Sequence, residues 1–412
     1  MKILMVSQCF WPENFRINEI CLDLQSRGHD VEVLTGLPNI PDGKFYQGYS
    51  FFHKGPQTYH GIKLHRVRIF PRGKNNFALL SLNCASFAIH SLFHIPKLMR
   101  RNFDCILIYQ LSPVSQALPG ILLAKLRKIR CFTYVLDIWP ESMFFLLNMP
   151  EEGKSLFRTI SYKVSSFLYR GSDYFLTSSK GMRNKLTRFG IEDERISYLP
   201  NCSDDFPETS VNQELLAKLQ LDGKFIIAFA GNIGRAQGID QIIEAAKQTN
   251  DLPNLHWLIM GDGTEFNNIK ALVDQYMLQE RVTLTGWINA AELPQYLVIS
   301  SALVVMLKKH EIFSLTVPSK MQTYLSAGKP ILAWMDGEGA QVIEDSGAGY
   351  TSQALDIDSF CNNVRKLYAL DEASRNRMGE NGKRYFEENY SREKVMNQFC
   401  AYLTDKANRK PI

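Results

Sequence analysis

The chain has 412 residues, 45% hydrophobic and 22% charged, enough to bury two or three cores and too apolar for a disordered polymer. It has no run of about 18 apolar residues, its N-terminal apolar run is too short for a signal-peptide core, and its eight cysteines show no Cys-x2-Cys or His-rich spacing; these features argue against a membrane span, a secretory leader, a disulfide framework and a metal cluster, and for a cytoplasmic setting. The net charge of +5 hides an asymmetry: residues 1–200 carry 26 Lys/Arg against 15 Asp/Glu, residues 201–412 carry 21 against 27, and residues 51–100 hold eight basic side chains and no acidic one. Such a field favours an anionic partner, whether phospholipid headgroups, a lipid-linked pyrophosphate or nucleic acid.

In chain order, Lys2–Val6, Val31–Thr35, Cys105–Tyr109 and Cys131–Leu136 read as buried strands, with amphipathic helices at Asn18–Arg27 and Leu118–Lys128 between them. Arg27-Gly28-His29-Asp30 supplies a helix stop. After the first strand, Phe10-Trp11-Pro12-Glu13-Asn14-Phe15-Arg16 offers Glu13 to a sugar hydroxyl and Arg16 to a phosphate, or else a cap and a surface charge. Phe77–Arg101 is apolar on most sides, with Arg66, Arg68, Arg72 and Lys74 before it and Lys97, Arg100 and Arg101 at its end. It reads either as a helix lying in a bilayer interface or as a core helix; Lys154–Arg170 is a second segment of this kind. Leu136-Asp137-Ile138-Trp139-Pro140-Glu141 follows a buried strand, so Asp137 can position or deprotonate an acceptor hydroxyl, or merely cap a turn. Glu141 is grouped with the acceptor contacts.

A polar, Pro-flanked connector from Leu199 to Pro207 marks a domain boundary. Beyond it, Phe225–Ala230, Leu255–Met260, Val282–Thr285, Ala302–Met306 and Ile331–Trp334 read as strands, with helices such as Ile239–Gln248 and Phe266–Gln275 between. Three loops stand out. Gly231-Asn232-Ile233-Gly234-Arg235-Ala236-Gln237-Gly238 and Gly261-Asp262-Gly263 each follow a strand, and Pro318-Ser319-Lys320 opens a helix that stops at Ala327-Gly328. Glycines let a backbone approach pyrophosphate, and a helix N-terminus offers unpaired N–H groups and partial positive charge. Any one loop can be no more than a tight turn; the three together point to a nucleotide-sugar diphosphate site with Ser319 and Lys320 among its ligands. Strands alternating with helices predict an α/β protein of two doubly wound domains, over residues 1–200 and 201–390, with ligands at the strands' carboxyl ends facing an interdomain cleft. A C-terminal helix over 391–412 can cross back to the first domain.

Taken together, these motifs resemble glycosyltransferase family 4, whose enzymes have two facing Rossmann-like domains, the GT-B fold. The resemblance rests on Met1–Val6 with Arg27-Gly28-His29-Asp30-Val31, on Tyr198-Leu199-Pro200-Asn201, on both glycine loops and on Ser326-Ala327-Gly328-Lys329-Pro330. Within the family the chain is most similar to the bacterial polysaccharide subgroup that includes WbuB-type L-fucosamine transferases, through Phe10-Trp11-Pro12-Glu13, Asp137-Ile138-Trp139-Pro140-Glu141, Gly231-Asn232-Ile233-Gly234 and Val317-Pro318-Ser319-Lys320. It implies a retaining, metal-independent hexosyltransferase without a cofactor, moving a sugar (N-acetyl-L-fucosamine by the subgroup) from UDP to an undecaprenyl-diphosphate-linked saccharide of O-antigen, lipopolysaccharide or capsule. The protein would be peripheral to the cytoplasmic face of the inner membrane and would not bind nucleic acid. There are departures. The family's Glu-x7-Glu falls on Leu315 and Thr323, leaving Thr323 a partial substitute at the ribose. The Arg and Lys of the diphosphate loop fall on Asn232 and Gln237, so Lys320, with Arg235 or Lys308, would neutralise the leaving group. The family's cleft histidine falls on Leu136, leaving Asp137 as the nearest polar group. The rival readings are a GT-B UDP-amino-sugar epimerase and a non-catalytic nucleotide- or polyanion-binding module.

Overall fold

A computed structural model describes residues 1–74, 76–147, 149 and 155–407; Lys154 and the last residues of the expected C-terminal helix lie outside the described residues. The chain divides into two units, Met1–Leu199 with the segment from Met396 onward, and Pro200–Val395. Helix Arg392–Ala407 runs from the second unit into the first, where Phe399 and Tyr402 sit 6.2 Å and 6.1 Å from the rings of Tyr134 and Phe132.

The first unit is built on a sheet of strands β1 (Lys2–Val6), β2 (Asp30–Thr35), β3 (Thr58–Tyr59), β4 (Ile62–Arg66), β5 (Cys105–Gln110), β6 (Arg130–Val135), β7 (Tyr174–Thr177) and β8 (Ile196–Tyr198), in the order β3-β4-β2-β1-β5-β6-β7-β8. The pairs are parallel except β3 with β4. The expected stop after the first helix, Ile17–Ser26, is made by Gly28 at φ +85°, with His29 N–H donating to Leu24 O at 3.1 Å. This left-handed turn costs a glycine little. The segment read as one long helix is two, Phe77–Leu92 and Ile95–Met99.

The second unit carries β9 (Phe225–Ala230), β10 (Leu255–Met260), β11 (Val282–Gly286), β12 (Ala302–Met306), β13 (Ile331–Trp334) and β14 (Gly349–Ser352), all parallel, in the order β11-β10-β9-β12-β13-β14. Both faces of this sheet are covered. Ile227, Phe229, Trp257 and Ile259 pack into one core, and Ile226, Ala228, Leu258 and Met260 into the other. That is why these strands read as continuous apolar runs instead of alternating ones. Strand order reverses between β9 and β12, and a reversal of this kind opens a crevice at the carboxyl ends of the two strands. In the first unit the reversal lies between β1 and β5.

Candidate functional site

The switch point of the second unit is where the glycine loops meet. Gly231, directly after β9, has φ +145°, and Gly261, directly after β10, has φ +138°. A Cβ on Gly261 would lie 1.8 Å from Gly231 O, so two backbones touch where neither can carry a side chain. Gly231 N–H donates to Met260 O at 2.9 Å, Ile233 N–H to Asp262 O at 2.9 Å and Glu265 N–H to Ile233 O at 3.0 Å. Gly263 is equally confined, since a Cβ there would lie 2.4 Å from Ile233 O. The two loops are therefore one backbone-stitched wall. On it Asn232, Arg235 and Asp262 are exposed while Gly234 is buried, and Asp262 accepts the Gly263 N–H at 2.7 Å.

The third loop completes the wall. Helix Ser319–Ser326 starts after Pro318 with no side-chain cap, so its first N–H groups lack an internal acceptor. Tyr324, one turn after Lys320, accepts the Ala230 N–H at 2.7 Å and anchors this helix to the end of β9. Lys320 then reaches across: its Nζ sits 3.8 Å from the centre of the Phe229 ring and 2.7 Å from where a Gly231 Cβ would be. That Nζ is buried and, among the described residues, has no hydrogen-bond partner. Burial alone lowers its pKa from 10.5 to about 7, because an ammonium taken from water without a counter-charge loses its charged form. Ser319, at the mouth, is exposed. Gln237 Oε1 is a second buried, unpartnered polar atom in this region. Lys308 pairs with Asp240 at 3.6 Å, and Thr323 faces Ser203, Oγ to Oγ at 3.4 Å, across the connector. The first two glycine loops, the uncapped helix and Lys320 thus converge, whereas Thr323 and Lys308 have neighbours of their own.

Glu13, Glu141 and Arg66 turn inward, which corrects the expectations for these three. Glu13 is 1% exposed and its Oε1 accepts the N–H groups of Asn39 and Ile40 at 2.7 and 2.9 Å; it braces a loop and is not open to a sugar. Burial pushes its carboxyl up, opposed by those N–H bonds and the Arg66 charge. Glu141 pairs with Lys185 at 3.6 Å and accepts from Tyr162 Oη at 3.3 Å, with its side chain 11% exposed. Arg16 occupies the N-cap position of helix Ile17–Ser26, partly buried. The Asp137 carboxyl accepts from Ser142 Oγ; burial raises it above the usual carboxylate range, against hydrogen bonds from Ser142, Ser112 and Trp139 that lower it. Arg66, expected at a membrane surface, is 1% exposed. Its guanidinium donates to the carbonyls of Pro56 (3.0 Å) and Trp11 (2.7 Å) and stacks between the Trp11 and Tyr49 rings. Arg101 donates to Glu32 at 2.8 Å. Arg68, Lys74, Lys97 and Arg100 are exposed, and Arg72 is half-buried.

Sequence reasoning missed Phe229 and Tyr324. Both were visible as spacing: Phe229 lies two residues before Gly231, on the same face of the strand, and Tyr324 four residues after Lys320, on the same face of the helix.

Two interlocked glycine loops, a helix N-terminus and a buried lysine meet at the switch point of a parallel α/β unit, where ligands of such sheets generally bind. Family models match both units. Residues 14–202 match the glycosyl transferase 4-like domain and residues 211–385 match glycosyl transferases group 1. The chain is 27% identical over 345 residues to WcaI of Escherichia coli K12, named as a glycosyl transferase of colanic acid biosynthesis, covering 80% of this chain and 82% of WcaI. Among solved structures it matches HepE of Anabaena in complex with UDP (TM-score 0.73, 15% identity, 98% of this chain and 100% of that one). It also matches sucrose-phosphate synthase of Thermosynechococcus elongatus (TM-score 0.76, 16% identity, 98% of each chain). Each unit thus matches a glycosyl transferase domain, and the chain shares the GT-B fold of these structures.

Proposed function

We propose that the protein is a retaining, metal-independent hexosyltransferase that moves a sugar from a UDP-sugar to an undecaprenyl-diphosphate-linked saccharide in bacterial surface-polysaccharide synthesis, O-antigen or capsule. The observation that carries this reading is Lys320, an unpartnered buried ammonium set against the Gly231 loop at an uncapped helix N-terminus. A leaving diphosphate supplies the missing counter-charge, and it does so most strongly as negative charge builds on the departing oxygen, which is where catalytic binding energy lowers a barrier. That oxygen can take the acceptor's proton on the same face, so the scheme needs no protein base; half-buried Asp137 is left to position the acceptor hydroxyl. HepE, crystallised with UDP, supports uridine as the nucleotide. WcaI, named for colanic acid biosynthesis, supports a polysaccharide product. The subgroup resemblance supports N-acetyl-L-fucosamine as the donor sugar.

A lipid-linked acceptor calls for a membrane surface, and exposed apolar side chains of the first unit support that reading. On helix Leu156–Tyr169 the side chains of Leu156, Ile160, Val164 and Phe167 lie on one face and are 77, 51, 50 and 71% exposed. On helix Phe77–Leu92, Leu82 and Ile89 are 44 and 54% exposed. Neither helix contains an acidic residue, so an anionic bilayer interface fits both. Among the described residues no helix is long and apolar enough to cross a membrane.

Incubation with a panel of UDP- and GDP-sugars and a polyprenyl-diphosphate saccharide tests the reading. Free UDP appearing in step with glycosylated lipid supports it. A sugar isomerised with its nucleotide conserved would make the protein an epimerase. If no nucleotide sugar stabilises the fold or is consumed, the protein is a binding module or something else.

A further inference from the structure

The Lys320 side chain has a second chemistry besides its charge, that of a free amine. Its stem is partly exposed while its Nζ is covered, so the side chain runs inward from the surface. Among the described residues that Nζ has no hydrogen-bond partner, and no charged group stands close enough to join burial in shifting its pKa. The Phe229 ring, 3.8 Å away, replaces only part of the hydration that an ammonium gives up. Above pH 7 the neutral amine therefore prevails, with its nitrogen lone pair unengaged. Two anion-seeking features lie beside it. Gly231, at φ +145°, presents bare backbone, and a Cβ there would lie 2.7 Å from the Nζ. Helix Ser319–Ser326 carries Lys320 in its first turn and has no side-chain cap, which leaves its first N–H groups without an internal acceptor.

We propose that Lys320 is a carbamylation site, where the buried amine adds carbon dioxide and the resulting carbamate excludes the donor's diphosphate; the exclusion rests on the donor-site reading, the modification does not. In this step the Nζ lone pair attacks the carbon of CO2 and an N–C bond forms. One C=O π pair moves onto oxygen and one Nζ proton leaves to solvent, so amine and CO2 give carbamate and a proton, with no oxidant and no other leaving group. Carbon dioxide suits the approach because it is small, linear and uncharged, and reaches an amine beside Phe229 without the desolvation that a bicarbonate ion would suffer. The product suits the surroundings as well. Carbamylation replaces a cation that lacks a counter-charge with an anion, next to unpaired N–H groups and the partial positive charge of a helix start. An exposed lysine has neither advantage: at pH 8 it is protonated almost entirely, whereas the Lys320 amine is mostly neutral. The carbamate and a diphosphate have the same sign and need the same donors, so each displaces the other, and donor binding falls as CO2 rises.

The test equilibrates the full chain at pH 8 with isotopically labelled bicarbonate and its dissolved CO2, fixes carbamates as ethyl esters with a trialkyloxonium salt, and locates them by peptide mass spectrometry. Lys320 is expected to carry label roughly tenfold or more above the mean of the other lysines, in line with its larger neutral fraction, and saturating UDP should remove it. The Kd of UDP, read by calorimetry, should rise about twofold or more from CO2-free to bicarbonate buffer of equal ionic strength. Lys320→Arg should show no such rise, because a guanidinium stays protonated and adds no CO2. The labelling needs no variant, so it decides the matter if Lys320→Arg binds UDP too weakly to titrate. Label on Lys320 no higher than on exposed lysines overturns the proposal, and so does label that persists while UDP is bound. An equal rise of Kd in both proteins also overturns it and makes bicarbonate itself the competitor. If UDP fails to bind wild type in CO2-free buffer, the donor reading fails, while label on Lys320 still upholds the modification.

Discussion

Lys320→Met should make the protein more stable and nearly inactive. In the folded chain the Nζ is buried with no counter-charge, and its pKa falls from 10.5 to about 7. That drop corresponds to about 5 kcal/mol of penalty on carrying the charge. The sign follows from proton binding. Between pH 7 and 10.5 the unfolded lysine keeps its proton while the folded one loses it, so stability rises with pH across that window; below pH 7 the full penalty is present. Methionine fills the same space over Phe229 without a charge, so it should recover part of this, of the order of 1–4 kcal/mol at pH 7 by analogy with other buried charges replaced by apolar side chains. For a unit of this size that is about 2–4 °C in melting temperature per kcal/mol. The gain should shrink as pH approaches 10. Turnover should fall about 10²–10³-fold, the usual effect of deleting one charge-stabilising donor. Thermal melts of both proteins at pH 7 and pH 9, with nucleotide release measured in parallel, test this. A variant less stable than wild type at pH 7, or a stability difference that does not change with pH, would refute the argument from burial; retained turnover would refute the role in leaving-group stabilisation.

Other outcomes follow from the same geometry. UDP binding at pH 8 should take up about one proton as the diphosphate restores the Lys320 charge, read by calorimetry in buffers of different ionisation enthalpy, and Lys320→Met should abolish the uptake. Gly261→Ala should cost at least about 2–3 kcal/mol and weaken UDP binding, because its Cβ meets Gly231 O at φ +138°; urea denaturation reads the first effect and thermal shift the second. Arg66→Ala should destabilise the first unit by roughly 2–4 kcal/mol through loss of its carbonyl bonds and ring stacking, yet leave binding to anionic vesicles unchanged, since the side chain is buried. Ile160→Asp with Phe167→Asp should abolish flotation with vesicles containing phosphatidylglycerol while moving the melting temperature little, both positions being more than half exposed.

The parallel α/β architecture and the place of the two glycine loops and the Pro-Ser-Lys helix start were legible in the sequence because these are local signals. Phe225–Ala230 and Leu255–Met260 are largely apolar runs each followed by a glycine, and the structure keeps the same bounds. A glycine after a strand and a Pro-Ser-Lys before a helix announce a turn and an N-terminus through backbone conformation, which depends on the residue itself and its neighbours. A strand as short as Thr58–Tyr59 carries too few residues to show a period, and it exists because a sheet edge is there to pair with.

What a charged side chain does was a different matter. Arg66 and Lys320 are equally cationic in the sequence, and their surroundings assign them opposite roles. Arg66 is buried against the carbonyls of Trp11, Gly36 and Pro56, residues 10 to 55 positions away, and becomes a tie. Lys320 is buried against Phe229, far earlier in the chain, and keeps an unmet need for an anion. Desolvation and hydrogen bonding depend on what the fold brings within a few ångströms, and no pattern of neighbours along the chain encodes that. The amino-acid order decided where strands end and helices begin; the packing decided which charges are tied into the molecule and which is buried without a counter-charge.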